Sequence, residues 1–208
     1  MKINIQLSNV CLLACDKDNS VCGFPCCKTS VELDRVKLFS FLKTLKEFLK
    51  AIPKKEALVI NVIGGDALTV EWFGYTRIIL SELKKMTVIS PEINIFTTGL
   101  YDRAVLDSNF KPYYVVNYAC ELYHQFCSLT NTIYFYPVPV ENKFLTDLVI
   151  NMTNNIPRSR MITDEELKEV QKTPFVNMDG DMLVEGKTVG NIQQIDWRKA
   201  KKYFKTED

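Results

Sequence analysis

The chain has 208 residues, a length that suits one domain or at most two small ones and lets about 70% of the unfolded surface be buried without staples. Hydrophobic residues at 47% and charged residues at 25% match an average globular protein, which excludes disordered, collagen-like and coiled-coil chains. Twenty-six Lys+Arg against 25 Asp+Glu leave a net charge of +1, which supplies no broad cationic footprint for duplex nucleic acid or anionic lipid.

From the amino terminus, Ile3, Ile5 and Leu7 alternate with polar residues, predicting a strand over 2–7. Met1-Lys2 leads straight into this segment, and no run approaches the roughly 20 apolar residues of a membrane span, so a soluble cytoplasmic protein is expected. A loop with five cysteines follows. Thr29 stands three residues before Glu32 in a capping-box pattern, and Leu38, Leu42, Leu45 and Leu49 repeat at helical spacing, predicting a long amphipathic helix that ends near Pro53.

Ala57 to Ile63 is continuously apolar apart from Asn61, as in a strand covered on both faces, and it stops at Gly64-Gly65. A helix over 70–85 and a strand over 93–97 come next, then strands at Tyr113 to Asn117 and Thr132 to Val138, each followed by a helical pattern, about 119–126 and 144–154. Strand-crossover-strand repetition implies βαβ units and a parallel sheet. The tail differs: Thr163 with Glu166 opens a short charged helix, FVNMDGDMLVEG reads as a hairpin turning at Asp179-Gly180, and a last helix covers about 196–204. Residues 1–155 are read as the core, with a cluster loop at 8–29, and 156–208 as an extension packed on the same domain.

In parallel α/β folds the chemistry gathers at the carboxyl ends of the strands, whose loops face one opening. The cysteine loop, Gly64-Gly65-Asp66 and Thr97-Thr98-Gly99 all fall there. Five of the seven cysteines, Cys11, Cys15, Cys22, Cys26 and Cys27, lie within 17 residues. An odd total in a chain of this length argues against a disulfide framework and for metal or cluster ligation.

INIQLSNVCLLAC resembles the opening of radical S-adenosylmethionine enzymes, in which a strand and a polar pair precede two cysteines four residues apart. The family spacing is CxxxCxxC. Here Asp18 stands where the third cysteine would fall, and Cys22 is the nearest replacement, with Cys26 and Cys27 as alternatives. Gly64-Gly65-Asp66-Ala67 is similar to the family's GGEP motif, with Asp for Glu and Ala for Pro, and IFTTGLY is similar to its third-strand ending.

The resemblance implies a partial (β/α)6 TIM-like barrel of parallel strands, followed here by a C-terminal hairpin and helix. It implies a 4Fe-4S cluster on Cys11, Cys15 and one further thiol, with S-adenosylmethionine held around Gly64, Gly65, Asp66, Thr97, Thr98 and Asn117. It also implies reductive cleavage of S-adenosylmethionine, abstraction of a substrate hydrogen, and a one-electron donor such as flavodoxin or ferredoxin. The tail from Phe175 to Trp197 looks like the "DG…GN" segment of peptide-modifying members, without their extra cysteines. A peptide, protein or nucleotide substrate fits a small barrel with a wide mouth.

Plainer readings stand beside this one. Cys11-x3-Cys15 and Cys22-x3-Cys26 could close around a structural zinc and make the chain an interaction module. Asp18 and Asp66 at altered motif positions could mark a barrel without catalysis. Gly-Gly after a strand is also an ordinary tight turn, and Asn117 reads equally as a helix cap. Cys120 and Cys127 read as small core residues, His124 as a surface or capping group, and the basic run from Arg198 to Lys205 as a solvated helix face.

Overall fold

The computed structural model of the chain describes residues 1–8, 10–11, 35–52, 57–86, 91–100, 119–137, 143–195 and 197–204. Helix α1 (Arg35–Lys50) forms where Leu38, Phe41, Leu42, Leu45, Phe48 and Leu49 recur every three or four residues, and all six are buried. Helix α2 (Val70–Lys84) buries Trp72, Thr76, Ile79, Leu80 and Leu83 by the same periodicity. Helical residues 119–124 (α3), α4 (Lys143–Asn155), α5 (Asp164–Lys172) and a short α6 (Trp197–Ala200) complete the helices, the last continued by a 3-10 turn at Lys201–Tyr203. None of the described helices is long and apolar enough to cross a membrane.

The strands are β1 (Lys2–Ile5), β2 (Val59–Val62), β3 (Glu92–Thr97), β4 (Thr132–Phe135), β5 (Ser159–Met161), β6 (Phe175–Val176), β7 (Asp181–Val184) and β8 (Lys187–Asn191). They form one sheet in the order β5-β4-β3-β2-β1-β6-β7-β8. Every pairing from β5 to β6 is parallel, and β7 and β8 are added antiparallel. The result is a mixed α/β, mostly parallel sheet that is not closed into a barrel. It runs without interruption across residue 155, because β5 to β8 all lie beyond it.

The expected strand at Tyr113 to Asn117 and the Thr29/Glu32 capping box lie outside the described residues. β3 bonds β2 on one side and β4 directly on the other, so no strand intervenes between β3 and β4. The expected hairpin is formed by β6 and β7, and a second one, β7 to β8, turns on Glu185 and Gly186, both at positive φ.

The sheet has two unlike faces. Ile3, Ile5, Ile60, Val62, Ile93, Ile95, Ile133 and Phe135 share a face and one apolar core with α1, α2 and α4. Burying each such side chain stabilises the fold by about 1.5–3 kcal/mol. On the other face, Asn4, Asn61 and Asn94 stand in register on β1, β2 and β3. Asn94 Nδ2 donates to Asn61 Oδ1 at 3.2 Å, and Asn61 Nδ2 to Asn4 Oδ1 at 3.0 Å. Asn4 Nδ2 donates to the Val170 and Thr173 carbonyls at 2.7 and 3.2 Å, which docks the end of α5 on this face. Leu167 and Val170 of α5 pack there against Ile63, Phe96, Tyr136, Ile162 and Phe175.

Helix α5 begins with the expected capping box: Thr163 Oγ1 accepts from the Glu166 N–H and Glu166 Oε2 from the Thr163 N–H. Glu166 also takes both guanidinium nitrogens of Arg160 on β5. Arg160 lies 4.7 Å over the Tyr134 ring, which stacks on Phe96 at 4.7 Å.

Replacing Asn61 by Ala removes the middle rung of the ladder and leaves Asn4 Oδ1 without that donor and Asn94 Nδ2 without that acceptor. Urea denaturation should show a loss of about 1–3 kcal/mol, and an unchanged midpoint would refute the ladder's role. Arg160 holds the Glu166 carboxyl down to about 2, against an ordinary value of 4.5. A depressed carboxyl contributes stability that is present above its unfolded value and lost as pH falls through the folded one. Glu166→Gln should therefore flatten the acid limb of the stability profile between pH 4.5 and 2 while leaving the neutral plateau shape unchanged.

Candidate functional site

Three loops meet at the carboxyl ends of β1, β2 and β3. After β1, Ser8 Oγ accepts from the Val10 N–H at 3.0 Å, a side-chain turn that folds the chain back before Cys11. Cys11 is a free thiol and only 4% exposed. The Val10 carbonyl next to it accepts the Asp66 N–H at 2.6 Å, which ties the start of the cysteine loop to the turn after β2.

That turn uses its glycines. Gly64 and Gly65 have φ of 77° and 69°, in the left-handed region that costs other residues energy. A Cβ on Gly64 would lie 3.2 Å from the Phe175 ring of β6. The turn throws Asp66 inward, where it is 0% exposed.

Asp66 is the hub of a buried polar knot. Its Oδ1 accepts from the Leu68 N–H at 3.0 Å and Thr97 Oγ1 at 2.9 Å. Its Oδ2 accepts from the Thr98 N–H at 2.9 Å, Thr98 Oγ1 at 2.7 Å and Thr97 Oγ1 at 2.8 Å. With the Thr97 hydrogen directed at Asp66, Thr97 Oγ1 accepts from the Gly99 N–H at 3.1 Å and from the Tyr123 O–H at 3.2 Å. Burial pushes the Asp66 carboxyl up, and the bonds from Thr98, Leu68 and Thr97 oppose it.

The structure thus brings together Cys11, Gly64, Gly65, Asp66, Thr97 and Thr98. Three of them share one hydrogen-bond network. The side chains of Asp66, Thr97 and Thr98 bond to one another and are buried, and both Asp66 carboxylate oxygens accept from protein donors. Gly65, half-buried, is the exposed part of the turn. Cys15, Cys22, Cys26, Cys27 and Asn117 lie outside the described residues, and among the described residues no three His, Cys, Asp or Glu side chains gather as a metal site.

Three members escaped the sequence reading. Tyr123 reads as a core residue of a helical pattern, and nothing in the sequence links it to Thr97. Ser8 and Val10 carried a signal, a hydroxyl two residues before the bonded amide, but their partner lies 56 residues beyond Val10. Cys120 and Cys127 are half-buried, with thiols raised by burial, as small packed residues would be. His124 is exposed.

No protein-family model and no curated protein matches this chain.

The two glycine environments predict opposite outcomes. Gly64→Ala meets both a positive φ and the Phe175 ring and should lower stability by more than about 1 kcal/mol. Gly74→Ala, exposed within α2 with nothing within 4 Å of the new Cβ, should raise it by about 0.5–1 kcal/mol. Thermal melts of the two variants read both signs.

Proposed function

We propose that this chain is a radical S-adenosylmethionine enzyme built on an incomplete (β/α)6 ring. The observation that carries the reading is the Asp66 N–H bond to the Val10 carbonyl, which joins the thiol-bearing loop to the Gly64-Gly65 turn at the carboxyl edge of parallel strands. The six parallel strands stand in the order β6-β1-β2-β3-β4-β5, the sequence such a ring would have, although here β6 also pairs with β7. The donor chemistry is suited to a cluster: Cys11 would ligate it with Cys15 and one of Cys22, Cys26 and Cys27, since soft thiolates select iron-sulfur centres.

When bound, the cluster and S-adenosylmethionine supply one-electron cleavage of the sulfonium and the hydrogen abstraction that follows. The chain's own task is placement and exclusion of water. Buried Cys11 keeps its sulfur out of bulk solvent, and the Gly64-Gly65 backbone offers peptide groups, without side chains, to the cofactor's amino acid end. The Asp66 carboxylate, its oxygens taken by the Leu68, Thr97 and Thr98 donors, is assigned no direct contact with the cofactor. A peptide, protein or nucleotide substrate, fed electrons by a flavodoxin- or ferredoxin-like donor in the cytoplasm, completes the reading.

A second reading is favoured by one observation: the Asp66, Thr97 and Thr98 side chains bond to one another in the buried interior, as they would in a family member that kept the scaffold without the chemistry. Anaerobic reconstitution separates the two. The catalytic reading expects about four iron and four sulfide per chain, a change in the cluster's electron paramagnetic resonance signal on adding S-adenosylmethionine, and 5′-deoxyadenosine after reduction with dithionite. Cys11→Ala should abolish iron uptake, whereas Cys120→Ala should leave it unchanged. A cluster that yields no 5′-deoxyadenosine supports the scaffold reading. Stoichiometric zinc with no iron uptake overturns both in favour of a structural zinc module.

A further inference from the structure

We propose that Asp66 is a positioning residue for Cys11, holding the Val10-Cys11 segment against the Gly64-Gly65 turn through its own backbone while its carboxylate anchors that backbone to the end of β3. The chain of contacts is continuous. Thr97 and Thr98 at the end of β3 hold the two carboxylate oxygens at 2.7 to 2.9 Å. The Leu68 N–H closes a turn on Oδ1 at 3.0 Å, which fixes the Asp66 backbone relative to its own side chain. With the backbone fixed, the Asp66 N–H points at the Val10 carbonyl, 2.6 Å away, one peptide unit from Cys11.

The alternatives are poorer. A Glu here would carry one more methylene into a space where Asp66 is already 0% exposed. An Asn would present an amide hydrogen where Oδ2 now accepts from the Thr98 N–H and hydroxyl, setting donor against donor. A side chain reaching out to a ligand would abandon donors that are themselves buried, at a cost that direct contact would have to exceed. The geometry thus separates two jobs that one acidic residue could share: contact with a cofactor and placement of Cys11. In this chain Asp66 performs the second.

The placement stands on the contacts alone; only the iron measurement rests on the proposed function. The test is iodoacetamide alkylation of metal-free protein with peptide-resolved mass spectrometry, comparing Cys11 with Cys120 as an internal reference. Asp66→Asn should raise the Cys11 rate relative to Cys120 by about tenfold. Thr98→Val, which keeps the carboxylate, should raise it less and serves if Asp66→Asn fails to fold. In protein reconstituted with iron and sulfide, both variants should hold less iron than the parent chain.

An unchanged Cys11 to Cys120 ratio in the folded variants would overturn the proposal. So would a rise shared equally by Cys11, Cys120 and Cys127, which reports general loosening. Weaker S-adenosylmethionine binding with parental Cys11 labelling and iron content would restore the ligand role to Asp66. If the parent chain takes up no iron, the proposed function fails while the labelling ratio still decides the placement.

Discussion

A carboxylate buried with only neutral donors governs this structure. Removing Asp66 from water costs several kcal/mol unless hydrogen bonds replace the lost solvent. Here two backbone amides and two hydroxyls supply them. Because the donors come from the turn after β2 and the end of β3, satisfying the carboxylate locks those two strand ends together. The Asp66 amide then adds the end of β1 through Val10. Three loops far apart in sequence become one unit, and the condition for it is electrostatic rather than apolar.

The same logic of internal satisfaction shapes the second face of the sheet. Asn4, Asn61 and Asn94 would each be costly to bury alone, yet in register each amide serves its neighbour, and Asn4 passes the pattern to carbonyls at the end of α5. The ladder therefore both pins the register of β1 to β3 and holds a helix over the face that a barrel would leave as its lumen. Helix α5 and the cluster around Phe96, Tyr136 and Phe175 fill that face.

This arrangement assigns different chemistry to side chains and backbone. The polar side chains after β2 and β3 turn inward and stabilise the scaffold, whereas the glycine turn leaves its peptide groups without side chains around them and Cys11 lies buried beside it. A radical S-adenosylmethionine enzyme built this way would hold its cofactor with sulfur and main chain. A non-catalytic relative would look the same in the knot and differ in the thiols.

Much of the frame was legible in the sequence. Apolar spacing marked α1 and α2, the alternation around Asn4 and the apolar run around Asn61 marked β1 and β2, and the Thr163/Glu166 box and Asp179-Gly180 turn marked the tail, because each signal is local and periodic. The three residues of β5 carry no such signal; they are a strand only because β4 offers them backbone partners. The pairing of β6 with β1, the ladder's register and the meeting of Asp66 with Thr97, Thr98 and Tyr123 depend on which distant segments become neighbours. Hence the residue types at the site could be read along the chain, while the direction each side chain faces, inward to a partner or outward to a ligand, was decided only by the packed fold.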